Sequence, residues 1–558
     1  MQPAGPAPQR TKYQDIDAFT IARYHHEHAH AKGDFAVGAL SLAPAMQAKL
    51  NCFVDTLPHL ATLQLAAIAK LPLEARRALP LAGVPVVIKD NICIGPEASF
   101  FGLAAPIDKL PKGWQGRTTC ASRMLDGYHS PFSATCVERL LAAGAVPIAK
   151  ANMDEFGFGS SGEHSCFGPT RNPLDEQRVP GGSSSGSAAA VASGLVRCAL
   201  GSDTGGSVRQ PAAFCGLAAM KPTYGRVSRS GLVAYASSLD QVGPIARSVR
   251  EVAALLHAIA GHDARDATSV DAPTTDIAQA LAVCVQESTG EASSAGERAS
   301  RLLAGKRIAL PAQAQGEGNH PGVAQMLASV RSALVACGAH VVDVDLPSLR
   351  AAVAAYYIVA PAEASSNLAR FDGVRYGHRA SAARAGQSED EQQSLFDFIA
   401  RNRSEGFGHE AQRRILLGTH VLSSGYYDAY YLTALKARRL VLQEFERVLR
   451  GPGPTAGATG AVGAACDAVL LPTTPGPAFK LGAKQAQGPL AMYLEDVYTV
   501  PINLTGLPAL QVPAGHAMVD GQRLPLGVQL VGPAMSDGAL LMLGQGLELA
   551  VAAHAPTT

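Results

Sequence analysis

The stretch "VPGGSSSGSAAAVASGLVRCALGSDTGGSVRQP", residues 179–211, holds two glycine–serine clusters joined by an alanine-rich segment. "GSAAAVA" reads as a helix, Gly194 as its stop, and "VRCAL" as a buried strand that runs into "SDTGGS". The same order recurs upstream in "CVERLLAAGAVPIAKANM", residues 136–153, as a helix, a cap at Gly144 and the strand "VPIAKA". "LAGVPVVIKDNI" (81–92) is a β-branched run that reads as a buried strand with Lys89 at its end. "LAGKRIALP" (303–311) with "VRSALVACGAHVVDVDLP" (330–347) adds a strand–helix–strand element. Helices alternating with apolar strands imply an α/β fold.

Bulk properties limit the rest. A chain of 558 residues with 47% hydrophobic and 17% charged residues has enough apolar material for a large core. A net charge of +1 provides no global attraction to nucleic acid or to an anionic membrane. The ten cysteines are scattered singly with no C-x-x-C pair, which points to a reducing compartment and away from a zinc ribbon. No apolar run approaches the roughly 18 residues of a membrane span.

Residues from about Ile16 to Leu79 read as mostly helical, after a proline-rich start without a secretory signal core that reads as disordered. The expected organisation is a helical N-terminal region, 1–79, and a catalytic domain, 80–558. Loop insertions are expected at 94–117, 287–300 and 451–464.

One motif is set aside. His26-Glu27-His28-Ala29-His30 matches H-E-x-x-H, but a third ligand is lacking at Ala36 and the match lies in a histidine-rich tract. It reads as a solvated helix face, and no metal site is expected.

The two glycine–serine clusters lack the G-K-[ST] ending of a phosphate loop, and no G-x-S-x-G elbow occurs. A serine nucleophile remains. Its hydroxyl needs a base, and its transition state needs backbone N–H groups aimed at an oxyanion, which glycines let the chain supply. "DTGGS" provides Ser207 as nucleophile with Thr204, Gly205 and Gly206 as oxyanion hole, and a helix starting at Ser207 would add its dipole. No histidine stands near either cluster in sequence, and a distant one stays open; Lys89 is the alternative, since burial would lower its pKa. Ser183 would relay the proton from Ser207 to Lys89.

These residues resemble the amidase signature family, whose catalytic unit is a lysine, a serine beside a cis peptide bond and a nucleophilic serine. "IKDN" matches as Lys89, "PGGSSSGSAAAVA" as Ser183, and "GSDTGGSVRQPA" as Ser207, with Asp203 and Arg209 as supporting residues. The fold implied is a mixed central β-sheet flanked by helices on both faces. The stretches 152–173, 221–244, 363–377, 403–431 and 492–510 are similar, within that family, to the glutaminase subunits of tRNA-dependent amidotransferases.

That resemblance implies hydrolysis of glutamine and delivery of ammonia within a heterotrimer with amidotransferase subunits B and C. The product implied is Gln-tRNA(Gln) made from Glu-tRNA(Gln), with Asn-tRNA(Asn) from Asp-tRNA(Asn) open beside it. No cofactor is implied in this chain; ATP and Mg²⁺ are expected in the B subunit, and misacylated tRNA meets the complex. The compartment implied is the cytoplasm, with a mitochondrial or plastid matrix as the alternative, and no membrane.

By the same resemblance Arg414 would hold the glutamine carboxylate, Asp496 its amine, and Tyr356 would line the pocket, with Arg413 and Tyr357 one step away as alternatives. A free-standing amidase acting on a small amide is the competing expectation. One departure stands out. Ser185 replaces a usual glycine, and a positive φ there would cost on the order of 1 kcal/mol or more.

Overall fold

Val86 and Ile88 turn toward one apolar cluster while Val87, between them, turns toward another. Cys198 and Leu200 against Ala199, and Ala218 and Met220 against Ala219, divide the same way. Side chains alternate across a strand, so a sheet buried on both faces needs apolar residues at successive positions.

The computed structural model describes residues 34–96, 114, 116–289, 293–316, 318–381, 394–451, 464–484 and 487–554. The His26–His30 motif, the proline-rich start, and residues 97–113, 115, 290–292 and 452–463 of the expected insertions lie outside these.

Among the described residues one sheet has eleven strands. They are β1 (Phe53–Thr56), β2 (Pro85–Lys89), β3 (Val146–Ala151), β4 (Cys198–Asp203), β5 (Ala218–Lys221) and β6 (Gln241–Ala246). β7 (Arg307–Pro311), β8 (His340–Val344), β9 (Ala468–Pro472), β10 (Ala509–Val519) and β11 (Gln522–Val531) complete it. Their spatial order is β1-β3-β2-β4-β6-β5-β10-β11-β9-β7-β8. The sheet is mixed. β2 runs parallel to β3 and β4, β7 runs parallel to β8 and β9, and the remaining neighbours are antiparallel. The helices Ser185–Ala192 and Asp34–Leu50 pack into the smaller cluster, and Val249–Ile259 and Asp537–His554 into the larger.

The helix–strand order read from 136–153 and 185–203 is present, with Gly144 and Gly194 at positive φ after their helices. Two readings change. The N-terminal region is helical over Asp34–Leu50 and Pro58–Lys70, but β1 lies between them and joins the sheet edge against β3. A four-residue strand offers too little alternation to stand out beside two helices. The stretch 287–300 is not a loop throughout. Thr275–Thr289 and Ala295–Leu303 are helices, and Ser294 with Glu297 forms a capping box, a signal that was present as S-x-x-E.

Of the 94–117 stretch, Trp114 is buried in the larger core cluster and Arg117 pairs with Asp55 and Asp126, so its end is anchored. No helix among the described residues is long and apolar enough to cross a membrane.

Candidate active site

Lys89 is the last residue of β2, the middle of three parallel strands, and it is fully buried. Burying Val86, Val87 and Ile88 contributes about 1.5–3 kcal/mol each, which carries a lysine into the interior at the strand's end. Its Nζ donates to Ser183 Oγ at 2.7 Å and to the Ser202 carbonyl at 3.2 Å. Burial pushes the Lys89 pKa down to about 7, although Asp154, Asp203 and Asp240 pull the other way. A buried amine at that value is half neutral at neutral pH and can accept a proton.

Ser183 follows a cis peptide bond from Gly182, which is itself held by its N–H donating to Gln210 Oε1 at 2.9 Å. The Asp154 N–H donates to the Ser183 carbonyl at 3.2 Å. The Asp154 carboxylate in turn accepts from the N–H groups of Gly162 and His164. The Ser184 N–H donates to the Ser207 carbonyl at 3.1 Å, so the two serine loops meet through main chain.

Ser207 follows β4 by four residues, and its loop is fixed by one ion pair. Arg209, fully buried, grips both Asp203 oxygens at 3.0 Å and also donates to Gln529 Oε1, Asn503 Oδ1 and the Thr499 carbonyl. Burial alone would raise the Asp203 pKa; the Arg209 charge and its hydrogen bonds hold it at about 2.

Asp203 also accepts from the Gly206 N–H at 2.9 Å and the Val208 N–H at 3.2 Å. This alters one expectation. The Gly206 N–H is taken by Asp203, which leaves the Thr204 and Gly205 amides of the expected oxyanion hole. The helix begins at Arg209 rather than Ser207, because the first free N–H groups turn back onto Asp203.

Ser185 is the first residue of its helix and has no positive φ; that conformation falls at Gly181 and Gly206. The expected strain at Ser185 is therefore absent, and its hydroxyl lies 3.2 Å from Thr170 Oγ1.

A box of aromatic rings stands over this loop. A Cβ placed on Gly205 would lie 2.5 Å from the Tyr356 hydroxyl, so only glycine lets that ring approach. Arg414 is buried with its guanidinium over the rings of Phe158, Tyr357 and Tyr493, 5.2–5.6 Å from their centroids. It donates from Nε to Glu410 at 2.8 Å and from Nη1 to the Tyr235 hydroxyl at 2.8 Å, and among the described residues Nη2 has no hydrogen-bond acceptor. Asp496 accepts from the Ser160 hydroxyl and, at 3.4 Å, from the Tyr357 hydroxyl. Burial raises its pKa to about 7.

Arg414, Asp496 and Tyr356 thus converge, while Arg413 is half exposed and turned to Glu410. Tyr357 lines the box as well. Sequence reasoning missed Tyr235, Tyr493, Glu410 and Ser160; only Glu410, four residues before Arg414, had a local signal. A cavity of about 830 Å³ adjoins the box and shares Arg414, Glu410 and Tyr493 with it. No group of three or more His, Cys, Asp or Glu suited to a metal occurs among the described residues.

The model of the amidase family matches residues 114–541. The chain belongs to the amidase signature family. Lys89 lies ahead of the matched segment, whereas Ser183 and Ser207 lie within it. The chain is 49% identical, over 92% of its own length and 92% of the relative's, to the A subunit of glutamyl-tRNA(Gln) amidotransferase from Deinococcus radiodurans. It is 44% identical, at the same coverage, to the protein of that name from a Synechococcus strain.

Among solved structures, the A subunit of glutamyl-tRNA(Gln) amidotransferase from Thermotoga maritima superposes with TM-score 0.68 at 35% identity, covering 96% of this chain and 94% of that one. The native peptide amidase of Stenotrophomonas maltophilia gives 0.73 at 28%, covering 96% and 97%. The α/β mixed sheet is thus the amidase fold, and the chain is an enzyme of that family.

Proposed function

We propose that the chain is the glutaminase subunit of a tRNA-dependent amidotransferase. The observation that carries this reading is the pairing of Arg414 with Asp496 across Tyr357, above the Ser207 loop. One buried cation and one buried carboxylate suit the α-carboxylate and α-amine of an amino acid whose side-chain amide points down at the nucleophile. The relatives at 44–49% identity support the assignment.

On this reading Ser207 Oγ attacks the glutamine side-chain carbon while its proton passes to Ser183, and Ser183 gives its own to neutral Lys89. The oxyanion is met by the Thr204 and Gly205 amides. The tetrahedral intermediate collapses as the proton returns through Ser183 to the leaving nitrogen, and ammonia departs from a γ-glutamyl ester on Ser207. Water, activated by the same pair, attacks the ester and releases glutamate.

Ammonia would pass to the B subunit, where ATP and Mg²⁺ would activate Glu-tRNA(Gln) or Asp-tRNA(Asn). The C subunit would complete the heterotrimer, in the cytoplasm or an organelle matrix. A path that excludes bulk water keeps ammonia unprotonated and nucleophilic.

Glutaminase activity of the chain, alone and with subunits B and C, for wild type and Ser207→Ala, tests this. Activity that rises on assembly and vanishes in Ser207→Ala is expected. Equal Ser207-dependent amide hydrolysis with and without partners would instead make it a free-standing amidase.

A further inference from the structure

Asp240 enters the chemistry above only as one of the charges that hold the Lys89 pKa up, yet it is 2% exposed and saturated with donors. Its Oδ1 accepts from the Thr204 hydroxyl at 2.6 Å, and its Oδ2 from the Tyr235 N–H at 2.9 Å. The Ala236 N–H reaches both oxygens, at 3.2 and 3.1 Å. One carboxylate therefore ties the loop ahead of the nucleophile to the segment that bears Tyr235, whose hydroxyl holds Arg414.

Thr204 is otherwise the first residue beyond the end of β4, where the ladder to β6 no longer fixes the chain. Its backbone N–H is useful to an oxyanion only at one orientation, and the hydroxyl–carboxylate bond is a side-chain tether on that peptide. We propose that Asp240 is a positioning residue that orients the Thr204 amide toward the oxyanion and keeps it in register with the substrate box. The proposal rests on the catalytic reading of Ser207.

The bond is short, and it acts on a group engaged in the transition state rather than on the substrate's charged ends. Tyr235 has a second set of restraints, its ring lying edge-on to Phe158 at 4.6 Å. Loss of Asp240 should therefore fall on kcat more than on KM.

The test uses the full chain in two assays: glutamine hydrolysis in the assembled complex, and acylation of Ser207 by an activated acetate ester, which needs the oxyanion hole and no glutamine recognition. Asp240→Asn and Thr204→Val are each expected to lower kcat and the acylation rate at least about tenfold, toward the 10²–10³ of a lost oxyanion donor. KM for glutamine is expected to move less than about threefold. Thr204→Ser, which keeps the hydroxyl, is expected to restore both rates. The double variant Asp240→Asn/Thr204→Val is expected to cost no more than the worse single one, because both remove the same bond.

Full activity in Thr204→Val, additive losses in the double variant, or equal losses in Thr204→Ser and Thr204→Val would overturn the proposal. If Asp240→Asn does not fold, the Thr204 pair alone decides. If the wild type acylates but never hydrolyses glutamine, the functional reading fails, while the acylation rates still judge Asp240.

Discussion

The pH dependence of Ser207 chemistry offers a sharp test, because two groups in one site are placed to titrate together. Burial brings Lys89 down to about 7 and brings Asp496 up to about 7. At an ordinary lysine value near 10.4, about one molecule in 2,500 would hold a neutral base at pH 7; at about 7 half do.

Lys89 must lose its proton to act as base, and Asp496 must lose its proton to attract an ammonium group. Both losses are favoured by rising pH, so the two limbs have the same sign. For an activated ester that lacks an amino-acid group, only Lys89 matters. Its kcat/KM should climb about tenfold per pH unit below pH 6 and level above pH 8.

For glutamine both ionisations of the free enzyme count, and kcat/KM should climb with a slope approaching two in the same range. Lys89→Arg, whose guanidinium stays charged, should lose at least about 10³-fold in both reactions. The assay is stopped-flow acylation beside coupled glutamate detection over pH 5–9. An ester reaction flat across that range would refute Lys89 as the base. Slopes of one for both substrates would refute a titrating Asp496.

Three further outcomes follow from the same geometry. Arg209→Met strands Asp203 as a buried charge without its cation, and the cost should be about 3–5 kcal/mol in a urea unfolding curve with loss of glutaminase activity. An unchanged midpoint would sink the account of Arg209 as the anchor of the loop. Gly205→Ala drives a methyl into the Tyr356 hydroxyl, and a displacement near 1 Å should cost on the order of 10² in kcat/KM, read by steady-state kinetics. Ser185→Gly should leave kcat within about twofold and lower stability by a few tenths of a kcal/mol, seen by calorimetry, since the residue is helical and a glycine there gains nothing. A rise in activity on that change would mean that the serine strains its turn after all.

The chemistry was more legible in the sequence than the recognition. Lys89 ends an unbroken apolar run, and Ser183 and Ser207 sit in glycine-flanked loops, each of which has a local signature. The alternation of helix and strand across 136–203 gave the layers for the same reason. The aromatic box left no such trace. Tyr235, Tyr356, Arg414 and Tyr493 come from four segments spread across more than 250 residues, and each alone looks like a core tyrosine or a surface charge. Nothing in "DTGGS" tells which N–H turns toward Asp203, so the bond from the Gly206 amide had no sequence signal. The strand β1 was lost between helices because four residues are too few to show a period.

Lys89 and Ser207 hang from the carboxyl ends of two adjacent parallel strands, β2 and β4, whereas the residues of the box arrive from outside that pair. On the proposed reading, bond-breaking is built on strand ends and substrate choice on segments from elsewhere, with Asp240 as a link between them. On that reading a change of amide substrate would be sought at Tyr356, Arg414 and Asp496. An engineer seeking a new amide would start at that rim and leave Asp240 and Gly205, which join it to the strand ends, untouched.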